Sequence, residues 1–449
     1  MTQKVLLLGS GFVAKPTVDI LAAEPGVEVT VACRTVSKAK ELAGDRAKAI
    51  SLDVSDSSAL DKAVGEHDLV ISLIPYTYHA QVIESACRKK KHVVTTSYVS
   101  PAMKELEAKV KEAGIVVMNE IGLDPGIDHL YAVKTIEDVH RDGGKIKSFL
   151  SYCGGLPAPE DSDNPLGYKF SWSSRGVLLA LRNAARFYQN GKVVDVEGPE
   201  LMKTAKPYFI YPGYAFVAYP NRDSTPYRER YNIPEAEEVI RGTLRFQGFP
   251  QFVKVLVDLG FLDDTPRDFL NEPLPWNKAF AQVVGSSATS EIELERAISS
   301  KTEFESTQDK ERILAGLRWL GAFSDTPITP RGNPLDTLCA TLEEKMQFDR
   351  GERDLVMLQH KFGIEWADGK KEVRTSTLVM NGDPTGQPDG YSAMARLVGV
   401  PCAVAVKQIL RGDLTTPGIH APVTPELADP LRKELKKDYG IEMIEKVIS

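Results

Sequence analysis

The chain has 449 residues, 42% apolar and 26% charged, an ordinary globular composition that excludes disordered and fibrous classes. Its 55 Lys+Arg against 62 Asp+Glu leave a net charge of −7 with no acidic or basic tail, which argues against a nucleic-acid partner and its clustered basic face. At about 150 residues per domain the length suggests about three domains.

The opening segment, MTQKVLLLGSGF, is too short in its apolar stretch for a signal peptide, and no apolar run reaches the ~18 residues that span a bilayer. The cysteines (Cys33, Cys87, Cys153, Cys339 and Cys402) are odd in number and form no C-x-x-C pair, so a reducing, cytoplasmic setting is expected. The histidines show no metal-ligand spacing, and no metal is expected.

Strand-like runs at Lys4–Leu8, Val27–Cys33, Ala49–Val54, Leu69–Ile74, His92–Thr96 and Ile115–Asn119 alternate with helical stretches. The helices are Val13–Ala23, Ser37–Ala43, Ala59–Gly65, His79–Lys90 and Pro101–Ala113. Apolar strands joined by helices predict a doubly wound parallel sheet of Rossmann type. The first strand-to-helix turn reads Gly9-Ser10-Gly11-Phe12-Val13-Ala14, a G-x-G-x-x-A pattern. There Gly9 permits the tight turn, Gly11 admits a pyrophosphate, and the helix N-terminus offers N–H donors.

The second strand ends Cys33-Arg34-Thr35, where an NAD-binding chain would carry an acid for the ribose 2′-hydroxyl. Arg34 suits a 2′-phosphate instead, so the expected cofactor is NADP(H); the alternative is a solvated strand-end arginine. Ligands bind outside the carboxyl ends of such strands, which selects Asp53-Val54, Ile74-Pro75, Thr96-Ser97-Tyr98 and Leu123-Asp124-Pro125. Asp53 is either an adenine contact or a helix N-cap.

Beyond Gly126 a helix at Asp128–Val139 leads to a strand at Ile146–Cys153. Further strands at Lys192–Val196, Tyr208–Tyr211, Ala215–Ala218 and Thr243–Gly248, with a helix at Gly176–Tyr188, predict a mixed α/β domain. From Phe261 to His360 the pattern is almost wholly helical, Glu372–Met380 returns to the mixed sheet, and Tyr391–Leu410 is a long helix packing on the first domain. The expected division is 1–127 with 393–449, 128–262 with 363–392, and 263–362 as a helical domain.

The segments GSGFVAKPT, ACRT, LVISLIPYTYH, VVTTSYVSPAM, NEIGLDPGIDH, SYCGGLPAPE, NPLGYKFSWSSRG, YPNRDS and GTLRFQGF resemble the fungal saccharopine reductases. The likeness continues through ERDLVMLQHKF, read as helical, to GYSAMARLVGVPCAVAVK. It implies a variant Rossmann domain, a mixed α/β substrate and dimer domain and a helical domain. It also implies NADPH-dependent condensation of L-2-aminoadipate 6-semialdehyde with L-glutamate to saccharopine, in lysine biosynthesis, by a homodimer. Matching segments put Ser10, Gly11, Phe12, Val13, Cys33, Arg34, Thr35, Asp53, Val54, Ile74, Thr96, Leu123, Asp124 and Pro125 on NADP, with Ser173 also approaching it. Ser97, Tyr98, Arg222, Thr243, Leu244 and Arg245 fall where the family binds saccharopine.

Saccharopine carries three carboxylates, so its pocket needs guanidinium groups. Of Arg175, Arg222, Arg228, Arg230 and Arg245, the two beside strand ends, Arg222 and Arg245, fit best. Loss of water from the carbinolamine calls for a proton donor, and Asp124, Tyr98 and Cys153 are the candidates. Asp124 is otherwise a turn residue and Cys153 a small packing residue, while Asp128 and His129 start the next helix. A homospermidine-synthase-like enzyme or a non-catalytic NADP sensor are the competing readings; a cationic polyamine would need an acidic pocket.

Overall fold

The computed structural model describes residues 2–449, so the first residue of the domain expected from residue 1 lies outside the described residues. Runs of Val, Leu and Ile that are apolar on both faces are buried only between two layers of helix, and the chain folds accordingly. In order come β1 (Gln3–Leu8), α1 (Lys15–Ala23), β2 (Val27–Cys33), α2 (Val36–Ala43), β3 (Lys48–Ser51), α3 (Ser57–Gly65) and β4 (Leu69–Ser72). They are followed by α4 (His79–Lys89), β5 (His92–Thr95), α5 (Pro101–Lys104), α6 (Glu107–Ala113), β6 (Val116–Met118) and α7 (Ile127–Arg141). The strands pair in parallel in the order β3-β2-β1-β4-β5-β6, the doubly wound dinucleotide-binding order. β1 shows why: Val5 and Leu7 enter the core on one face, Leu6 and Leu8 that on the other, all with no exposed surface.

The second half continues with β7 (Lys145–Pro157), α8 (Ser174–Ala180), β8 (Ala185–Gln189), β9 (Lys192–Val196), β10 (Lys206–Pro207), β11 (Phe216–Pro220), α9 (Tyr227–Arg230) and β12 (Glu238–Phe246). A helical stretch follows: α10 (Phe249–Asp258), α11 (Trp276–Val284), α12 (Glu291–Lys301), α13 (Thr307–Leu320) and α14 (Pro334–Lys345). The chain ends with β13 (Asp354–Glu365), β14 (Lys371–Asn381), α15 (Ala393–Arg411), β15 (Gly418–His420), α16 (Pro425–Tyr439) and β16 (Ile444–Val447). The mixed sheet runs β10-β11-β12-β7-β13-β14-β16 with β8 against β12 and β9 against β8, and β15 extends the parallel sheet next to β6.

Several expectations are corrected. The helix expected over Gly176–Tyr188 stops at Ala180, because Ala185–Gln189 pairs with β9 and that ladder overrides the helical period. No strand forms at Tyr208–Tyr211; the pairing against β11 falls just before it, at Lys206–Pro207. The helical stretch does not reach His360: β13 pairs with β7 and β14, and because Val356 and Leu358 enter one core and Leu355 and Met357 another, the strand opens with no alternation to read. β13 and β16 therefore belong to the mixed sheet, although 354–362 was assigned to the helical domain and 444–447 to the first. β3 ends at Ser51 rather than Val54, since the Asp53 carboxylate accepts from the Ser55 N–H (2.9 Å) and hydroxyl (2.7 Å) and turns the chain. α15 is long and apolar enough to cross a membrane by length and composition, unlike the sequence reading, but it is mostly buried. It packs on α1, as expected, where the Thr17 hydroxyl donates to the Gly399 carbonyl at 2.9 Å.

Candidate functional site

The loop from β1 to α1 is shaped to admit a dinucleotide. Gly9 sits at φ +110°, and a Cβ there would lie 2.7 Å from the Leu73 carbonyl oxygen, so β4 closes one side of the turn. At Gly11 a Cβ would meet nothing within 4 Å, leaving the approach to the backbone open. α1 has no side-chain cap and no acid in its first turn, so its N-terminal donors are free for phosphate. The Ser10 hydroxyl donates to Cys33 Sγ (3.3 Å), which donates to the Thr35 carbonyl (3.0 Å), tying this loop to the end of β2. Arg34 is exposed, has no ion pair among the described residues, and adjoins α2, whose N-terminus also lacks a side-chain cap and an acid. These groups fit NADP(H), and Arg34 with the N-terminus of α2 would hold its 2′-phosphate.

The remaining cofactor candidates divide. Phe12 is 64% exposed and Val13 half-buried on the loop, while Ile74 and Thr96 follow the ends of β4 and β5 and Asp124 lies in the connection from β6 to α7. Asp53 is not the helix cap: Asp56 caps α3, accepting from Ser58 and Ala59 N–H at 3.0 Å. The Val54 carbonyl is taken by Gln81 at 2.7 Å. The Leu123 side chain is in the core, so only its backbone faces the cleft, and the Asp124–Pro125 peptide is cis. Ser173 caps α8, accepting from the Gly176 N–H at 3.2 Å, and is not drawn into the strand-end cluster.

Where the parallel sheet meets the mixed one, two of the three proton-donor candidates, Tyr98 and Asp124, come together around Arg241, while Cys153 lies on β7 paired with Thr243 of β12. The Tyr98 hydroxyl donates to Asp124 Oδ1 at 2.8 Å; Arg241 Nη2 donates to the same oxygen at 2.6 Å and also to Asp128 Oδ2. The Arg241 guanidinium lies 4.2 Å from the Tyr227 ring centre and 5.6 Å from that of Tyr98, and exposed Arg222 covers Tyr98 at 5.7 Å. One guanidinium thus serves two carboxylates. Burial pushes the Asp124 carboxyl above its ordinary range, opposed by Arg241 and aided by Asp128. Burial acts on Asp128 too, but His129, Arg241 and the Gly126 N–H outweigh it and hold that group low. Burial carries the Tyr98 hydroxyl and the Cys153 thiol well above their usual values, so both keep their protons near neutral pH.

Arg245 differs from every other arginine weighed. It is 6% exposed, stacked 4.8 Å from Tyr168 and 5.3 Å from Phe249, donates to the Leu244 carbonyl at 2.8 Å, and leaves Nε unpartnered. No carboxylate among the described residues pairs with it. Desolvating a guanidinium without an acid costs several kcal/mol, which suits a site completed by an incoming anion. By contrast Arg175 pairs with Asp336 (2.6 Å), Arg230 with Glu120 (2.9 Å), and Arg228 binds the Pro234 carbonyl. Strand alternation puts Arg241, Thr243 and Arg245 on one face of β12; Leu244 points into the core, so its expected substrate contact is limited to backbone.

Residues 5–118 match the model of the saccharopine dehydrogenase NADP binding domain, and residues 122–441 that of the saccharopine dehydrogenase C-terminal domain. The chain belongs to the saccharopine dehydrogenase family. It is 67% identical, over all of both chains, to saccharopine dehydrogenase (NADP+, L-glutamate-forming) of Pyricularia oryzae. The Saccharomyces cerevisiae protein of that name is 62% identical over the same extent, and its apo structure matches this one with a TM-score of 0.90 over 100% of both chains. Mitochondrial alpha-aminoadipic semialdehyde synthase of Bos taurus is 38% identical over 97% of this chain and 47% of its own length.

The site in this saccharopine dehydrogenase family member includes residues that the sequence reading passed over. Arg241 lies outside the strand expected from Thr243, which begins five residues too late; a strand from Glu238 places it on the same face as Arg245. Asp128, read as a helix start, is that, but its carboxylate also holds Arg241. Glu120, His129 and Tyr231 join it through contacts up to 110 positions apart, which no local pattern reveals. His79 is buried, its ring nitrogens meeting Ser72 Oγ (2.8 Å) and Ser97 Oγ (2.9 Å), and burial lowers it to about 4.

Proposed function

We infer that this chain is an NADP-dependent oxidoreductase that condenses L-2-aminoadipate 6-semialdehyde with L-glutamate to form saccharopine, a step of lysine biosynthesis. Identity of 67% and 62% over full length to enzymes of that activity supports the reading, as does the NADP-binding family model. The observation within the fold that carries it is Arg245, a buried cation with no acid of its own beside the strand-end cleft. A polyamine substrate would need unpaired acids there, yet Asp124, Asp128 and Glu120 are each paired with arginine. A mere NADP sensor has no use for the Tyr98–Asp124 pair.

Arg245 and Arg222 grip substrate carboxylates and orient the amine toward the aldehyde, a contribution worth up to ~7–11 kcal/mol when the geometry is near attack. Addition gives a carbinolamine, whose hydroxyl must leave as water. Tyr98 and Asp124, bonded to one another, are placed to deliver the proton for that departure, and Cys153 stands protonated nearby. NADPH, when bound, supplies the hydride that reduces the resulting imine. Thr243 and Ser97 complete the substrate side.

We further propose a homodimer, supported by β16, an edge strand of the mixed sheet unpaired on its outer side, which exposes Ile444 on one face and Val447 on the other. A cytoplasmic setting is supported by five free cysteines. The activity is tested by following NADPH oxidation with L-glutamate and the semialdehyde together and with each omitted. Oxidation that needs both and yields saccharopine is expected; oxidation without glutamate would defeat the reading.

A further inference from the structure

A closed ring of contacts runs behind Tyr98 and Asp124. Glu120, 1% exposed, adopts φ +60°, a left-handed conformation uncommon outside glycine and retained only where surrounding contacts demand it. Its own N–H donates to the Ser97 carbonyl at 3.1 Å, and its Oε1 accepts the Val99 N–H at 3.1 Å. The residue therefore holds the β5–α5 loop from both sides of Tyr98. Its Oε2 meets His129 Nε2 at 2.7 Å and Arg230 Nη2 at 2.9 Å. His129 is fully buried; its Nδ1 meets the Tyr231 hydroxyl at 2.6 Å and stands 3.6 Å from Asp128 Oδ2. From Asp128 the ring passes through Arg241 to Asp124, from Asp124 to the Tyr98 hydroxyl, and along the chain to Val99. Burial works to raise the Glu120 carboxyl, but His129 and Arg230 outweigh it and hold it at about 2.

We propose that Glu120 is a positioning residue for the reaction, its carboxylate fixing the Ser97–Val99 loop and, through His129, Asp128 and Arg241, setting the Tyr98–Asp124 pair in place. The proposal rests on the function inferred above. The left-handed backbone at Glu120 is what brings N–H and carboxylate to bear on the same loop, and removing the carboxylate frees one side of it. Glu120 itself touches no reacting atom.

The test uses Glu120→Gln and Glu120→Ala in the full chain. Gln keeps an oxygen for the Val99 N–H but loses the charge that holds His129 and Arg230. Expected are NADPH affinity within twofold of the unmodified chain, a saccharopine KM changed less than threefold, and kcat reduced about tenfold for Gln and further for Ala. Amide hydrogen exchange over residues 96–100 should quicken at least tenfold in the Ala variant, a readout independent of turnover. Unchanged exchange there, or a Gln variant with kcat within twofold of the unmodified chain, overturns the proposal. If both variants fail to fold, Tyr231→Phe, which frees the other nitrogen of His129, must lower kcat severalfold; full activity in it also overturns the proposal. An inactive unmodified chain would instead defeat the inferred reaction, and the exchange measurement would still decide whether Glu120 anchors the loop.

Discussion

Replacing Arg245 by Met should move substrate affinity and stability in opposite directions. Met fills much of the space between Tyr168 and Phe249 and removes the charge. Truncating one partner of a dry, hydrogen-bonded charge pair costs about 2–5 kcal/mol, so the saccharopine KM should rise roughly thirty- to several-thousand-fold. In the free protein no ion pair is broken, because the guanidinium donates only to the Leu244 carbonyl and otherwise meets the Tyr168 and Phe249 rings. Relief of an uncompensated buried charge, set against one lost hydrogen bond, should leave unfolding free energy unchanged or raised by up to ~3 kcal/mol. Lys at this position should recover only part of the affinity, since an ammonium lacks the planar two-point grip. Denaturant unfolding, steady-state kinetics and NADPH titration give the three numbers needed. A Met variant that unfolds several kcal/mol more easily while keeping its KM would refute the reasoning, since Arg245 would then be a structural cation.

Arg34→Ala should remove most of the preference for NADPH over NADH, an effect of about 1.5–3 kcal/mol for a charge-assisted contact; equal use of both coenzymes by the unmodified chain would contradict it. Tyr98→Phe and Asp124→Asn should be non-additive in kcat/KM, with a coupling of about 1 kcal/mol through their 2.8 Å bond; strict additivity would mean that the bond is idle in turnover. His360 is fully buried with neither ring nitrogen bonded, and burial lowers it to about 3. The unfolded histidine takes up a proton near pH 6.5 and the folded one does not, so stability is present at neutral pH and declines as pH falls. The decline from pH 7 to 5 is about 2 kcal/mol, and His360→Phe should abolish that share; an unchanged pH slope in melting experiments would count against it.

The parallel sheet was legible because its signals are local. Each apolar strand, the Gly9–Ala14 turn and Arg34 declare themselves within a few residues. β13 was illegible for the opposite reason, being covered on both faces and lacking alternation. Among site residues, Tyr98, Asp124, Arg222 and Arg245 could be named from strand ends and from family likeness. Arg241 hid behind a strand start misplaced by a few residues. Glu120 acquires its role from a backbone conformation and from partners on α7 and α9, so nothing near it in sequence marks it.

The central claim is that one cleft brings NADPH, glutamate and the semialdehyde together for hydride transfer to an imine carbon. Mass spectrometry of the product formed with NADPH deuterated at its transferring position tests this directly. The account predicts saccharopine carrying one deuterium on the carbon next to the bridging nitrogen, formed only when glutamate is present. Deuterium in the alcohol of a reduced semialdehyde, with glutamate unincorporated, would contradict it.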